Sequence, residues 1–393
     1  MSDQHVHLVG VGGAGMSGIA RIILQRGGSV SGSDISEGRV LEELRMLGAR
    51  IAVGHAAEHV DGADVVVTSS AVPSDNPELV AARDRGALIL HRAQMLARLM
   101  EDHRAVLIAG THGKTTTTSM TVVALQAAGS DPSFAIGGSL HKSAANAHAG
   151  QDPIFIAEAD ESDRSFLAYR PDLAVITNVE HDHPDEFTDL DAVMEAFKDF
   201  AGRRAELAPA LACADDAGSS QLAKMIAAPV QLYGTDPRAD WRTITGDDGV
   251  HRFRHDGEDL ATFSVGVPGH HNLLNATAAL ATCALLGVDP ADAAIGLARF
   301  TGAVRRFHNL GTAAGVTVID DYAHHPTELR ATLAAARSRQ DRRVILVVQP
   351  HRYSRVQAFG EDLGRAAAAA DVVVVTDVFS AGEAPIPGIT GRI

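Results

Sequence analysis

A glycine-rich run with a lysine and several threonines is the feature that most constrains the fold of this chain. The run 109–118 reads AGTHGKTTTT, after the apolar residues 105–108 and before the helix-compatible residues 119–125. A strand followed by a Gly-Lys-Thr loop and a helix is the arrangement of a phosphate-binding loop. In it, backbone N–H groups and the positive end of the helix face an anion. The sequence therefore predicts an α/β domain that binds a nucleoside triphosphate, with Lys114 on the outer phosphates and the Thr115 hydroxyl on Mg²⁺.

The loop departs from the common Gly-x-x-x-x-Gly-Lys-Ser/Thr pattern, because Ile108 stands five residues before Gly113. The alternative is a glycine-rich turn with an ordinary surface lysine. However, only four of the 34 lysine and arginine residues are lysines, and one of the four is Lys114. The order of glycine, lysine and hydroxyl between a strand and a helix favours phosphate binding. The predicted nucleotide-binding loop comprises Gly110, Thr111, His112, Gly113, Lys114, Thr115 and Thr116.

Length, composition and net charge limit the number of domains and the kinds of partner that this chain can have. The 393 residues suffice for two or three domains, and the 46% hydrophobic content supports packed cores. The net charge of −15 argues against non-specific nucleic-acid binding, which requires a basic surface. No apolar run is long enough to cross a bilayer, and no signal peptide is evident. Cys213 and Cys283 are far apart and fit a reducing compartment, so we expect a cytoplasmic protein without a membrane or nucleic-acid partner.

The first part of the chain, residues 1–102, alternates short apolar stretches with helix-compatible ones, as a Rossmann-like domain does. It contains Gly10-x-Gly12-x-x-Gly15, and Asp34 ends the second predicted strand. Such glycines let a diphosphate approach a helix N-terminus, and the acid can bind a ribose hydroxyl. The pattern fits NAD, but a UDP-sugar fits equally well, and a glycine-rich turn without a ligand is the remaining alternative.

Two further α/β domains are expected, a central one at 103–302 and a C-terminal one at 303–393. The central domain begins with the phosphate-binding loop, and its residues 229–268 are typical of antiparallel strands. The C-terminal domain contains strand-like runs at 316–319, 344–348 and 372–376. Because a doubly wound domain normally has more strands than this, we expect the third domain to be incomplete.

Acidic and amide side chains follow predicted strands of the central domain. Glu158 directly follows the strand-like run 154–157, where a carboxylate beside a phosphate loop can bind Mg²⁺. The alternative is a solvated acidic loop, which the position at the strand end makes less expected for Glu158 than for Glu161 or Asp163. The run Asn178–His183 follows another predicted strand and offers a second metal ligand or a phosphate contact, although a single loop histidine is more often structural.

Two other groups can contact nucleotide or anionic ligands. Asn272 and Asn275 lie at the start of a predicted helix, where an asparagine can contact a nucleobase or simply cap the helix. Arginine forks bind carboxylate and phosphate groups, although each one alone can form an ordinary surface ion pair. Arginines and histidines recur at turns of the third domain, namely Arg305, Arg306, His324, His325, His351, Arg352 and Arg355.

Together these motifs resemble those of the Mur ligases. The matching runs occur in the order of that family over nearly the whole chain: His7–Ala20, Ala109–Thr118, Glu158–Asp163, Asn178–His183, His271–Ala276, Arg305–Phe307, Asp320–Glu328 and Gln349–Arg355. The resemblance implies three α/β domains: a Rossmann-like UDP-binding domain, a central P-loop ATPase domain and a C-terminal Rossmann-like domain. It also implies that the cofactors are ATP and Mg²⁺.

The resemblance also implies roles for individual residues. The UDP-sugar would contact Gly12, Gly13, Ala14, Gly15, Asp34, Ser69, Ser70 and Ala71. The metal ligands would be Thr115, Glu158 and His183. The catalytic residues would be Lys114, Glu158 and His183. The adenine and the rest of the nucleotide would lie near Asn272, Asn275 and Arg306. The muramoyl and alanine ends would contact Tyr322, His324, His351, Arg352 and Arg355.

The implied reaction is ATP-dependent ligation of L-alanine to the lactyl carboxylate of UDP-N-acetylmuramate, through an acyl phosphate, in peptidoglycan precursor synthesis. Other Mur ligases use a carbamylated lysine, a role that nothing in the setting of Lys198 supports. The alternatives are a ligase that joins a preformed peptide to the same UDP-sugar, a nucleotide-binding protein or fragment without turnover, and an NAD dehydrogenase. We expect a monomer or a weak homodimer.

Overall fold

The structure of this chain is a computed structural model that describes residues 4–138, 145–204, 208–339 and 343–392. Three α/β regions follow one another along the chain, and most strand pairs within them are parallel. The predicted fold class is therefore confirmed, whereas the exact domain boundaries stay predictions. Within the described residues, no helix is long and apolar enough to cross a membrane.

The first region is a five-stranded parallel sheet in the order β3-β2-β1-β4-β5, with helices in its connections. Its elements are β1 (His5–Val9), α1 (Ala14–Gln25), β2 (Ser29–Asp34), α2 (Arg39–Met46), β3 (Arg50–Val53), a 3₁₀ turn (Ala57–Val60), β4 (Val65–Thr68), α3 (Pro77–Asp84), β5 (Leu88–His91) and α4 (Arg92–Met100). The strand order reverses between β1 and β4, and the crevice at the carboxyl ends of such strands is where ligands bind.

The second region is a ten-stranded sheet in the order β15-β14-β13-β12-β11-β10-β6-β9-β7-β8. Its strands are β6 (Arg104–Ala109), β7 (Ser133–Ala135), β8 (Ala147–His148), β9 (Ile154–Ala159), β10 (Leu173–Ile176), β11 (Ala210–Cys213), β12 (Val230–Gly234), β13 (Trp241–Thr245), β14 (His251–His255) and β15 (Glu258–Phe263). Its helices are α5 (Lys114–Ala127), α6 (Leu190–Gly202), α7 (Ala217–Met225), α8 (His270–Leu285) and α9 (Pro290–Ala298), with a 3₁₀ turn at Ser165–Ala168.

The central strand β6 is buried on both faces. Leu107 and Ala109 belong to one apolar cluster, whereas Val106 and Ile108 belong to a second one on the opposite face. Parallel strands covered by helices on both faces have continuous apolar sequences, which is the pattern seen before the phosphate-binding loop. The first cluster continues into the first region, so these two regions share one core.

The third region contains two separate strand pairs. Its elements are β16 (His308–Ala313), β17 (Val316–Asp320), α10 (Pro326–Arg339), β18 (Ile345–Val348), α11 (Tyr353–Ala367) and β19 (Val372–Val375). Strands β16 and β17 pair antiparallel, and β18 and β19 pair parallel. Helices α10 and α11 pack together through Leu329, Leu333 and Leu363, with Leu346 against them.

Two local expectations have clear outcomes. The run 251–254 lies in β14, which pairs antiparallel with both neighbours, so the antiparallel prediction for 229–268 is confirmed there. It is wrong for β12, which lies in the same range and pairs parallel with β11 and β13. The helix-capping alternative for Asn272 does not hold, because α8 begins at His270 and its N-cap is Gly269, with φ 103°. The Asn272 amide instead donates to the Pro268 carbonyl at 2.6 Å.

Candidate active site

A cleft of about 1810 Å³ lies between the three regions. It follows the carboxyl ends of β1, β4 and β6, which is where parallel sheets bind ligands. Most of the predicted site residues line it: Gly12, Gly13, Ala14, Gly15, Asp34, Ser69, Ser70, Ala71, Thr111, His112, Gly113, Lys114, Thr115, Glu158, His183, Arg306, Tyr322, His324, His351, Arg352 and Arg355. The structure therefore brings residues from all three regions to one cavity, although their individual roles stay predictions.

The glycine turn after β1 is fixed against the end of β2. The Gly10 N–H donates to the Ser33 carbonyl at 2.8 Å, and the Gly12 N–H donates to Asp34 Oδ2 at 2.9 Å. A Cβ atom at Gly12 would lie 2.8 Å from the same carboxylate oxygen, so a larger residue would force this contact apart. Asp34 thus holds the turn in place as well as lining the cleft.

The phosphate-binding loop is held by the segment after β10. Asn178 brackets the backbone of His112, because its Oδ1 accepts from the His112 N–H at 2.7 Å and its Nδ2 donates to the His112 carbonyl at 3.0 Å. Gly110 has φ 137°, and a Cβ there would overlap the Thr177 hydroxyl. The sequence of both segments is therefore needed to form this loop.

Lys114 is paired with a buried carboxylate. Its Nζ donates to Glu161 Oε2 at 2.8 Å and to the Gly110 carbonyl at 2.6 Å. Glu161 is 2% exposed, so the alternative of a solvated acidic loop does not hold for this residue. Burial raises the pKa of Glu161 to about 7, against the lowering effect of the Lys114 charge. Burial opposes the charge on Lys114, but the carboxylates of Glu161 and Asp160 outweigh it and raise the lysine pKa.

Glu158 and Thr115 offer oxygen ligands beside this lysine. The Thr115 hydroxyl donates to Glu158 Oε2 at 3.0 Å, and the Gly137 N–H donates to Glu158 Oε1 at 2.7 Å. Burial raises the pKa of Glu158. Mg²⁺ prefers oxygen ligands and binds through one or two carboxylates plus substrate phosphates, so this donor set fits Mg²⁺.

His183 lies at the same cleft, in a left-handed backbone conformation with φ 54°. Burial lowers the pKa of His183 to about 4, so its imidazole is neutral at pH 7. A neutral imidazole can bind a metal ion through a ring nitrogen. Its Nδ1 lies 3.5 Å from Arg355 Nη2, so the third region contacts this histidine.

A second cavity of about 230 Å³ adjoins the cleft, because His112, Gly113 and Arg306 line both. Thr116, Asn272 and Asn275 also line it. A Cβ atom at Gly113 would lie 2.9 Å from Asn275 Oδ1, so the loop and α8 meet closely here. A cavity beside a phosphate-binding loop can hold the nucleoside part of a nucleotide.

The arginines of the third region join that region to the second. Arg355 binds Asp182 with two hydrogen bonds, Nε to Oδ1 at 2.7 Å and Nη2 to Oδ2 at 3.0 Å. Arg352 Nη1 donates to Asp185 Oδ2 at 2.6 Å. Both arginines were expected at the muramoyl and alanine end; they line the cleft, but their charges are already paired within the protein. An anionic substrate would therefore meet these groups only in competition with Asp182 and Asp185.

Comparison with known protein families agrees with this three-part geometry. Residues 5–104 match the profile of the Mur ligase family catalytic domain, residues 108–283 the Mur ligase middle domain, and residues 305–391 the Mur ligase glutamate ligase domain. The chain belongs to the Mur ligase family. The resemblance seen in the sequence is thereby confirmed.

Named relatives of this Mur ligase include the UDP-N-acetylmuramate–L-alanine ligase of Acidothermus cellulolyticus, 51% identical over 98% of this chain and 82% of that protein. Among solved structures, UDP-N-acetylmuramate–alanine ligase MurC from Thermotoga maritima matches with a TM-score of 0.79 and 30% identity, covering 96% of this chain and 86% of that one. A murein peptide ligase from Psychrobacter arcticus matches with a TM-score of 0.77 and 27% identity, covering 94% and 84%. The expected incompleteness of the third domain stays a prediction.

Sequence reasoning missed several residues of this Mur ligase site. Glu161 pairs with Lys114, Asp182 pairs with Arg355, and Asn178 holds the loop backbone. Arg92 also lines the cleft, with Nη1 3.6 Å from the position of a Cβ on Gly15 and Nη2 3.4 Å from Asp163 Oδ2. Arg92 begins the helix after β5, and that placement at the end of a parallel strand is the signal that would have found it.

Proposed function

We propose that this Mur ligase joins L-alanine to the lactyl carboxylate of UDP-N-acetylmuramate and converts ATP to ADP and phosphate. The observation that carries the proposal is the 51% identity to an L-alanine ligase over 98% of the chain, combined with one cleft that joins a diphosphate turn to a phosphate-binding loop. An enzyme with these substrates would act in the cytoplasm. The expected quaternary structure is a monomer or a weak homodimer.

Each end of the cleft suits one substrate. The turn Gly12–Gly15 and the residues Ser69–Ala71 would bind the UDP-sugar, with Arg92 near its diphosphate. The loop 110–116 would bind the ATP phosphates, with the nucleoside in the smaller cavity beside Asn272 and Asn275. A Thermotoga maritima MurF structure, of the same fold, is a complex with ADP.

The first chemical step would be attack of the lactyl carboxylate on the γ-phosphate of ATP, which gives an acyl phosphate and ADP. Lys114 would contact the transferred phosphoryl group and offset its negative charge. Thr115 and Glu158, with His183, would hold Mg²⁺, which when bound neutralises charge on the β- and γ-phosphates. The N–H groups of the loop orient the phosphates before the reaction begins.

In the second step the amine of L-alanine would attack the acyl carbon and release phosphate. The ammonium group of L-alanine must first lose a proton, which passes to water, before the amine can attack. His351 and His324 line the third-region side of the cleft, and burial lowers the pKa of each, that of His351 to about 4. His324 donates from Nδ1 to the Tyr322 carbonyl, so its Nε2 would accept from the alanine ammonium group without repelling it, whereas His351 Nδ1 already accepts from Arg355 Nη1.

A peptide-accepting ligase is the second candidate, because the murein peptide ligase structure is nearly as similar in fold, with a TM-score of 0.77. Both enzymes would use the same UDP-sugar and ATP sites and would differ in the acceptor. The higher sequence identity to L-alanine ligases favours alanine.

The test is phosphate release by the full chain with ATP, Mg²⁺ and UDP-N-acetylmuramate, with either L-alanine or a tripeptide as acceptor. We expect release that requires all four components and prefers alanine, and no release after Mg²⁺ is removed with a chelator. UDP-N-acetylmuramate labelled with ¹⁸O in its carboxylate should transfer one label to phosphate. Preference for the tripeptide would support the second candidate, and no binding of ATP or the UDP-sugar would contradict both.

A further inference from the structure

Glu328 lies in the first turn of α10 and contacts parts of the site from two regions. Its Oε2 accepts from the backbone N–H of His324 at 3.0 Å, and its Oε1 lies 3.5 Å from Arg306 Nη1 and 3.3 Å from His112 Nδ1. His324 lines the substrate cleft, Arg306 lines both cavities, and His112 belongs to the phosphate-binding loop. One carboxylate thus connects three functional groups.

The other side of His112 contacts a second carboxylate. His112 Nε2 lies 3.3 Å from Glu180 Oε2, in the segment after β10. The same oxygen of Glu180 accepts from the Thr327 hydroxyl of α10 at 2.7 Å. The second and third regions therefore make two contacts beside the same imidazole. One joins His112 to Glu328, and the other joins Glu180 to Thr327.

The imidazole at the centre carries a positive charge at pH 7. Burial lowers the pKa of His112, but hydrogen bonds to Glu180 and Glu328 outweigh this and raise it to about 9. The other groups that face it are His325, whose pKa burial lowers to about 4, and Asp216. Hydrogen bonds between charged partners are about twice as strong as neutral ones, so this bridge should hold the loop in a defined position.

The same atoms also suit a metal ion, because ligand atoms of His112, Glu180 and His325 lie within 4.8 Å of one another. Each ring nitrogen of His112 already faces a carboxylate, however, Nδ1 at 3.3 Å from Glu328 and Nε2 at 3.3 Å from Glu180, so the arrangement is that of an ion-pair bridge.

We propose that Glu328 is a positioning residue that sets the phosphate-binding loop, through His112, only when the third region is docked against the second. Docking would then bring Arg306 and His324 to their places in the same movement. Turnover would occur only while the third region is docked, when ATP and the amino acid lie on either side of the acyl group. This inference rests on the proposed function, because it assigns the bridge to the ligation reaction.

A double-mutant cycle tests the bridge in the full chain, with the variants Glu328→Gln, His112→Gln and the two together. Each single variant should lower kcat about 10- to 100-fold, the range for loss of a hydrogen bond between charged groups. The double variant should lower kcat clearly less than the product of the two single effects, because both remove the contact between Glu328 and His112, although Glu328 also contacts Arg306 and His324. Effects that multiply would overturn the proposal.

The pH profile separates positioning from a merely structural role. The wild-type kcat should fall as His112 loses its proton near pH 9, because the raised folded-state pKa keeps the bridge intact below that value. Glu328→Gln removes one of the two carboxylates, so the fall should move to lower pH, and Glu328→Asp should restore it in part. A loss of activity with an unmoved pH limb would contradict the proposal.

His148→Gln is the matched control, because His148 Nε2 pairs with Asp131 at 2.9 Å within the second region, with both side chains partly exposed. It should change kcat less than about 2-fold. Circular dichroism checks that each variant is folded.

X-ray scattering with ADP and UDP-N-acetylmuramate reports docking independently of turnover: the wild type should be more compact than Glu328→Gln. If alanine is not ligated but scattering shows this difference, the proposed function fails and the docking role survives; equal compactness overturns the role.

Discussion

Strands of the second and third regions have similar sequences but different surroundings. Val175 in β10 is 0% exposed, whereas Val373 in β19 is 39% exposed and Val347 in β18 is 66% exposed. Side chains on both faces of β6 enter separate apolar clusters, whereas the apolar cluster of the third region lies on the α10 and α11 side. A valine-rich run therefore indicates a parallel strand, but only the surrounding helices determine how much of it is buried.

The joint between these two regions should show the largest effect. Asp182→Asn leaves the buried Arg355 without its carboxylate, and breaking a buried ion pair costs about 3–5 kcal/mol. We expect the third region to lose its docking while the buried second region stays folded. Hydrogen exchange would show this as lost protection in α11 with unchanged protection in β6 and β10. Unchanged exchange in α11 would contradict the inference that this pair joins the regions.

Substitutions in the second and third regions should also differ in their effects on kcat and KM. Lys114→Ala removes a charge at the phosphoryl group, and loss of one such contact lowers kcat about 10²- to 10³-fold. Arg352→Ala removes a charge that Asp185 already pairs, so it should mainly raise KM for the UDP-sugar or alanine. Steady-state kinetics on both variants, with melting curves as a check of folding, measure the difference. Normal turnover by Lys114→Ala would rule out the role given to the loop.

Two matched valine substitutions test how the surroundings of a strand affect the stability cost of adding a hydroxyl group. Val175→Thr buries a hydroxyl in a packed sheet and should cost about 1–3 kcal/mol of unfolding free energy. Val373→Thr places the same hydroxyl at an exposed position and should change stability by less than about 0.5 kcal/mol. Urea unfolding of both variants gives the two values. Equal costs would mean that Val373 is covered in solution.

Much of the fold and the positions of the site loops were predictable from the sequence. The phosphate-binding loop and the turn Gly12–Gly15 were found because their geometry depends on glycine and on a strand that directly precedes them. Glu158 was placed correctly at the cleft for a similar reason: it stands at the end of a strand whose neighbour carries the loop.

Pairing between distant segments was not predictable. Nothing local distinguishes Glu161 from a solvated acid, since its burial depends on Lys114, 47 residues earlier. The pairing of Arg355 with Asp182 spans 173 residues and depends on how the third region docks. Charge pairs of this kind follow from the tertiary arrangement and not from any period or motif in the chain.

The carboxylate of Glu161 gives the phosphate loop a built-in competitor. A tethered group acts at an effective concentration of about millimolar or higher, so free anions in solution must exceed that level to displace it from Lys114. Inorganic phosphate has a single anionic group with which to compete. In the proposed function, a nucleoside triphosphate would make additional contacts in the adjoining cavity, so it would displace the carboxylate where a simple anion fails. Selectivity against small anions would then follow from one intramolecular ion pair.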